Sequence, residues 1–276
     1  MNAPDSYLRN GILYDMPADE YHAEPAVSNS MLSDLRRSPR HCYALHLAAD
    51  KPVREPTASM RFGTMAHCVV LEPAKFHQRY AVKPQSHDGR TKEGKAWAAE
   101  HAGREIISAE ESTAATRLQS AVYAVPELAH ALSSGRAEVS VFWTDERTGL
   151  RCRARPDWLH RLPDGRLIVV DLKTTSDASP TEFARSVWTY GYHRQEAFYK
   201  AGLTACGEEV AAFLFAAVTN AHPFIAVPYV LDDDAVMRGA AEVRDLIDLF
   251  AECKRTNEWP AYGSGVQVLS LPAWAK

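Results

Sequence analysis

The chain has 276 residues, 46% of them hydrophobic and 24% charged, with a formal net charge of −4; this is the composition of a soluble globular protein long enough to bury a sizeable core. No apolar run approaches the roughly 20 residues that span a bilayer, and the opening "MNAPDSYLRNGILYDMP" has neither the basic start nor the apolar segment of a secretory signal. Five cysteines, Cys42, Cys68, Cys152, Cys206 and Cys253, are odd in number and form no CxxC pair, which points to the reducing cytoplasm and away from a zinc ribbon, an iron–sulfur cluster or a disulfide framework.

In chain order, Ser28-Asn29-Ser30 offers an N-cap for helix in residues 28–50, which Pro39 divides in two. Residues 58–71, "ASMRFGTMAHCVVL", read as a further helix with Met60, Met65 and Val69 among its apolar positions. The polar, basic stretch 83–95, "KPQSHDGRTKEGK", is expected to be a mobile loop that orders on a ligand. Residues 96–133 are alanine-rich and read as helical. The pattern then changes. "AEVSVFW", "LRCRARPDWLH" and "RLIVVDLKTT" are β-prone and joined by turn signals at 145–149 and at Pro163-Asp164-Gly165, a meander of three strands. Helix returns from Pro180 to Leu203, strands follow at "EVAAFLFAAVT" and "FIAVPYVL", and a long helix runs from about Asp233 to Thr256. This order predicts a mixed α/β sheet flanked by helices, in one domain spanning 1–276. Its helical N-terminal part covers about 25–133 and its core about 134–260.

The chemistry concentrates in the third strand of the meander. Side chains alternate along a strand, so Asp171 and Lys173 project to one face and Leu172 to the other. Asp157 ends the preceding strand, and the hairpin brings it back beside Asp171. Two carboxylates and an ammonium then converge, and such carboxylates repel unless a cation lies between them. Hard oxygen donors with open positions suit Mg²⁺ or Mn²⁺. Hydrolysis of a phosphodiester uses this set: the ion polarises the phosphoryl oxygen and lowers the pKa of a bound water. The lysine positions or deprotonates that water, or stabilises the pentacovalent state. A surface salt bridge beside a turn is the plainer reading of an Asp-x-Lys by itself.

Pro156-Asp157 followed by Asp171-Leu172-Lys173 resembles the signature of the PD-(D/E)xK nucleases. Three further segments, "FGTMAH", "HRQEAFY" and "SNSMLSDLRRSPRHCYALHL", resemble the RecB-like and RecE-type (exonuclease VIII) members, and the tail "EWPAYGSGVQVLSLPAWAK" is similar as well. The resemblance covers most of residues 25–276. It implies a restriction-endonuclease-like fold, a mixed central sheet flanked by helices. It also implies His67, Asp157, Asp171 and the Leu172 carbonyl as metal ligands, with Glu138 as an outer metal or water ligand. Gln195 and Tyr199 would line the site beside Asp157, Asp171 and Lys173. Gly63 and His67 lie four apart and share a helix face, and glycine there would let the helix approach another backbone.

The function implied is a metal-dependent DNA exonuclease. By resemblance it degrades one strand of linear duplex from the 5′ end and leaves a 3′ tail for a single-strand annealing partner. Such enzymes work as homo-oligomeric rings around DNA, in phage or prophage recombination. The alternatives are an endonuclease or repair nuclease of the same fold, and a non-catalytic nucleic-acid-binding protein, whose motif would be broken. No four-cysteine iron–sulfur arrangement and no GxxxxGK[ST] motor motif accompanies the signature. Lys92 and Lys95 of the 83–95 stretch, and Arg151, Arg153 and Arg155, are the candidates for gripping DNA phosphates.

Overall fold

The computed structural model describes residues 10–53, 55–84, 90–263 and 265–271. Residues 1–9, the middle of the 83–95 stretch and the last residues of the tail likeness lie outside the described residues.

A short strand, β1 (Gly11–Leu13), leads into helix α1 (Ala18–Ala23). Ser28 accepts from the Met31 amide and starts α2 (Asn29–Arg37); Ser38 accepts from the His41 amide and starts α3 (Pro39–Cys42). The break expected at Pro39 is thus a serine cap with proline in the first turn, where its missing N–H costs nothing. Helix α4 (Ala58–Leu71) has the expected bounds, set by Thr57 as its cap. It is followed by α5 (Phe76–Arg79) and β2 (Tyr80–Val82).

Two expectations fail here for local reasons. The 83–95 stretch is not loop to its end, because Thr91 accepts from the Gly94 amide and starts α6 (Lys92–Glu100). Residues 96–133 are not all helix either: β3 (Glu105–Ile107) carries two β-branched isoleucines and pairs in parallel with β2. Helix α7 (Ala109–Tyr123), opened by a Ser108–Glu111 capping box, and α8 (Pro126–Ala131) complete this part.

The three-strand meander is also corrected. Strands β4 (Arg136–Ala137) and β5 (Ser140–Thr144) part at Glu138, and "LRCRARPDWLH" forms two strands, β6 (Arg151–Ala154) and β7 (Trp158–Arg161). Pro156 has no N–H for a ladder and marks the second break. The pieces serve different sheets. β1, β5 and β6 form an antiparallel sheet in the order β1-β5-β6. β4 and β7 join β8 (Leu167–Thr175), β9 (Val210–Thr219) and β10 (Ala226–Tyr229) in the order β10-β9-β8-β7-β4. β8 and β9 run parallel, linked by α9 (Pro180–Tyr190) and α10 (Tyr192–Ala205), and the other pairs are antiparallel. The sheet is mixed, as expected. Helix α11 (Asp233–Thr256), capped by Asp232, follows.

Alternate residues of β8 and β9 face two cores. Leu167, Val169, Phe213 and Phe215 pack with Phe183 of α9, Phe198 of α10 and Phe250 of α11. Val170, Leu172, Ala216 and Val218 pack with Val70 of α4 and with Leu118 and Val122 of α7. Helices on both faces explain why β9 from Val210 to Val218 and β8 from Leu167 to Val170 are continuously apolar. α10 and α11 meet at Gly239, where a Cβ would lie 2.2 Å from the His193 carbonyl oxygen.

Candidate metal centre

The sheet register delivers the first acidic pair. Trp158 of β7 lies opposite Val170 of β8, so one further step sets Asp157 opposite Asp171. An oxygen of Asp157, Oδ2, accepts the Leu172 amide at 2.8 Å, which ties this carboxylate to the backbone of the Asp-x-Lys strand.

Helix α4 reaches the same point from the other face of the sheet. His67 Nε2 donates to the Leu172 carbonyl at 2.9 Å. Its Nδ1 lies 3.6 Å from Asp157 Oδ2 and 3.9 Å from Glu138 Oε1. One ligand atom from each of His67, Glu138 and Asp157 falls within 4.8 Å of the others. Two carboxylates, one imidazole and a neighbouring peptide carbonyl are donors that fit a small divalent cation.

Glu138 arrives by a costly route. Its φ of 51° is left-handed, which costs on the order of 1 kcal/mol for a residue with a side chain. Retained strain of this kind marks functional sites. The geometry is fixed by two backbone bonds, Glu138 N–H to the Asp157 carbonyl at 2.9 Å and Val139 N–H to the Pro156 carbonyl at 3.2 Å. Arg155 Nε donates to the Glu138 carboxylate at 2.9 Å.

Charge is balanced within the cluster. Burial pushes the Asp157 carboxyl up, aided by Asp171 and Glu138 and opposed by His67 and Lys173, to about 7. Burial also opposes the charge on His67, but Asp157, Glu138 and Asp171 hold its imidazole up at about 9. Glu138 is held below the usual carboxylate range, its burial outweighed by His67 and Arg155. In the chain by itself, the imidazolium supplies the positive charge that these carboxylates require.

A second network lies across the strand. Lys173 Nζ pairs with Asp171 Oδ1 and donates to Gln195 Oε1 at 2.9 Å, while Gln195 Nε2 donates to Asp171 Oδ2 at 2.6 Å. Burial works against the lysine charge, yet Asp171 and Asp157 raise its pKa above that of an ordinary lysine. Tyr192 places its ring centroid 4.6 Å from the same ammonium.

The expected site residues therefore divide. His67, Glu138, Asp157 and the Leu172 carbonyl come together; Asp171 turns its oxygens to Lys173 and Gln195. Tyr199 follows one turn after Gln195, tilts its ring against Phe213 at 6.4 Å and interacts with Gln195 through its hydroxyl. Burial pushes its phenol well above the usual range, so it backs Gln195 from the core side. Gly63 faces Thr174 Oγ1 with 3.6 Å left for an added Cβ. That is ordinary contact, so the close backbone approach expected there is absent.

The arginine stripe is turned inward. Arg151 pairs with Glu24 at 2.9 Å, Arg153 donates to the His22 and Glu24 carbonyls at 3.0 and 2.7 Å, and Arg155 holds Glu138, Ser140 and the Met16 carbonyl. These bonds tie the three guanidiniums to the segment around α1 and, for Arg155, also to Glu138 and Ser140. Lys92 and Lys95 are exposed on α6. A cleft of about 430 Å³ opens beside His67 and Glu138, lined also by Gly63, Thr64 and Arg79. Tyr192 went unnoticed in the sequence, although it precedes Gln195 by three residues and shares its helix face.

Residues 28–272 match a family model described as "PDDEXK-like domain of unknown function (DUF3799)". The chain is similar to a solved protein from Eubacterium rectale described as "Putative exonuclease", at 14% identity and a TM-score of 0.64, over 94% of this chain and 96% of that one. At that identity the likeness is one of fold. The solved structure of SSO0001 overlaps 70% of this chain and 88% of its own at 15% identity, but its TM-score of 0.28 gives it no weight. No curated protein matches the sequence.

Proposed function

The chain belongs to the DUF3799 family of PDDEXK-like domains, and from that membership and the two joined networks on β8 we propose that it is a metal-dependent DNA nuclease. The carrying observation is the split between neighbouring residues of one strand. Leu172 and its partners Asp157, His67 and Glu138 gather ligand atoms, while Asp171 and Lys173 form an ion pair braced by Gln195.

His67, Glu138, Asp157 and the Leu172 carbonyl would hold Mg²⁺ or Mn²⁺, which when bound supplies Lewis-acid polarisation of a phosphoryl oxygen and a water of lowered pKa. Lys173 stays an ammonium at neutral pH, since its pKa is raised. It is therefore a donor to the phosphoryl oxygens as their charge grows, not a base. Gln195 bonds both Lys173 and Asp171 and so fixes the direction of that donor before substrate arrives. Asp171, wholly buried, keeps the lysine charged.

The resemblance to RecE-type enzymes extends the proposal to exonucleolytic cutting, 5′ to 3′ on linear duplex DNA, with 3′ tails left for recombination. On the same ground the partner would be a single-strand annealing protein, the assembly a ring of subunits and the compartment the cytoplasm, with the whole chain acting as one unit. No helix of the described residues is long and apolar enough to cross a membrane.

The test uses duplex DNA labelled separately at its 5′ and 3′ ends, with Mg²⁺ or Mn²⁺, beside a covalently closed circle. Release of the 5′ label with the circle spared is expected. Nicking of the circle would make the enzyme an endonuclease, and failure to cut either substrate would end the nuclease reading.

Proton release gives a separate check on the ligand set. A ligand imidazole must be neutral, whereas His67 keeps its proton up to about 9. Mn²⁺ uptake at pH 7.5 is thus expected to release about one proton or more, and affinity should climb as pH rises toward 9. Calorimetry in buffers of different ionisation enthalpy counts the protons. A count of zero would contradict a charged His67 that gives up its proton to the ion.

A further inference from the structure

We propose that Tyr190 is a stacking platform for a nucleobase beside the bond being cut, so that the strand entering the site must present an unpaired, unstacked base. The inference rests on the nuclease reading and specifies its substrate at the point of cleavage.

Three aromatic rings run outward from the sheet to solvent beside the catalytic lysine. Phe215 of β9 stacks with Tyr192 at 5.8 Å and 22°, and Tyr192 stacks with Tyr190 at 5.7 Å and 26°. The middle ring carries the Lys173 ammonium at 4.6 Å from its centroid. The last ring, Tyr190, is 63% exposed. Steps of 4.6 and 5.7 Å are short enough for one nucleotide to set its phosphate at Lys173 and its base at Tyr190.

The pair is held in place. Between the two tyrosines, Gly191 adopts a φ of +73°, which lets α9 end and α10 begin with both rings on one side. A Cβ at Gly191 would lie 1.9 Å from the Arg194 guanidinium. Arg194 cannot swing away freely, because it is buried and bonded to Glu242 at 2.9 Å. Trp188, the other exposed ring at this end of α9, offers no such surface. It stacks with His193 at 5.7 Å and 8°, and the guanidiniums of Arg238 and Arg36 lie 4.6 and 5.8 Å from its centroid.

An exposed ring of this kind favours single strands. A base inside a duplex already has neighbours on both faces, whereas an unstacked base can lie flat on tyrosine whatever its identity. The expected substrate at the cut is therefore a single strand or a frayed end, taken without base preference.

The experiment compares a short oligothymidylate with an abasic deoxyribose-phosphate strand of equal length, which has the same charge and no bases. Binding to the full chain is measured in Ca²⁺. Wild type is expected to bind the thymidine strand about tenfold more tightly, the effect of one base–aromatic stack. Tyr190→Ala should lose most of that difference by weakening only the thymidine strand, and Tyr190→Phe should behave as wild type. A full tenfold difference retained by Tyr190→Ala overturns the proposal, as does an equal loss in Tyr190→Phe. If wild type binds and cuts DNA while Tyr190→Ala is unchanged, this inference falls and the nuclease reading stands. If wild type neither binds nor cuts DNA, both fall.

Discussion

Lys173→Ala is expected to lower DNA cleavage by about 10³-fold while leaving DNA affinity within a few-fold of wild type. On the Asp171 side of β8 the lysine is held between Asp171, Gln195 Oε1 and the Tyr192 ring. Its loss also leaves the fully buried Asp171 without a counter-charge, and breaking a buried pair costs about 3–5 kcal/mol. A lower melting temperature should therefore accompany the lost rate. Single-turnover cleavage below the melting transition separates the two effects. Wild-type rates from a folded Lys173→Ala protein would remove the lysine from the chemistry.

Asp157→Asn should do something less intuitive: abolish metal-dependent cleavage and make the metal-free protein more stable. Asparagine keeps an oxygen for the Leu172 amide, which Asp157 holds at 2.8 Å. What it removes is a charge the fold resists, since burial pushes the Asp157 carboxyl from 3.8 up to about 7. A carboxyl with a raised folded pKa binds more protons folded than unfolded, so stability falls as pH climbs from about 4 to 7 and the penalty is complete above 7. The variant lacks that slope. Its advantage should be absent near pH 4, grow through this window and reach on the order of 1 kcal/mol or more at neutral pH. Denaturant melts across pH in a chelator, beside cleavage assays in Mn²⁺, measure both halves. An active variant, or one destabilised at pH 7.5, would contradict the assignment of Asp157 as a ligand whose charge the metal-free fold resists.

Both variants lie in the part of the molecule that the sequence made most legible. Local rules sufficed for α4 and α11, where Thr57 and Asp232 cap long runs of helix formers. They also sufficed for β8, whose apolar run ends in Asp171-Leu172-Lys173. They failed where the chain changes sheets, because the residues on both sides of Arg155–Asp157 are equally β-prone and only Pro156 signals the break. The surroundings of the arginine stripe were not legible, for a tertiary reason. Arg151, Arg153 and Arg155 alternate with Cys152 and Ala154 as a solvated strand face does, but the segment around α1 accepts a hydrogen bond from each of the three. The role of Gln195 came only through resemblance. Helix periodicity places it beside Tyr192 and Tyr199 without saying that its amide spans Asp171 and Lys173. The orientation of Asp171 away from the ligand cluster follows from that amide, a contact 24 residues distant along the chain.

The crossing points between the sheets have a mechanical consequence. The chain leaves the large sheet at Glu138 and re-enters it after Pro156, and the two crossings are laced by a pair of backbone hydrogen bonds. The carboxylates at both crossings are ligand candidates, so an ion gripped by Glu138 and Asp157 is a rivet through the seam of the molecule. The width of the seam and the occupancy of the rivet then become one variable. An ion bound there would stiffen the seam, and any load that parts the two sheets would work against it.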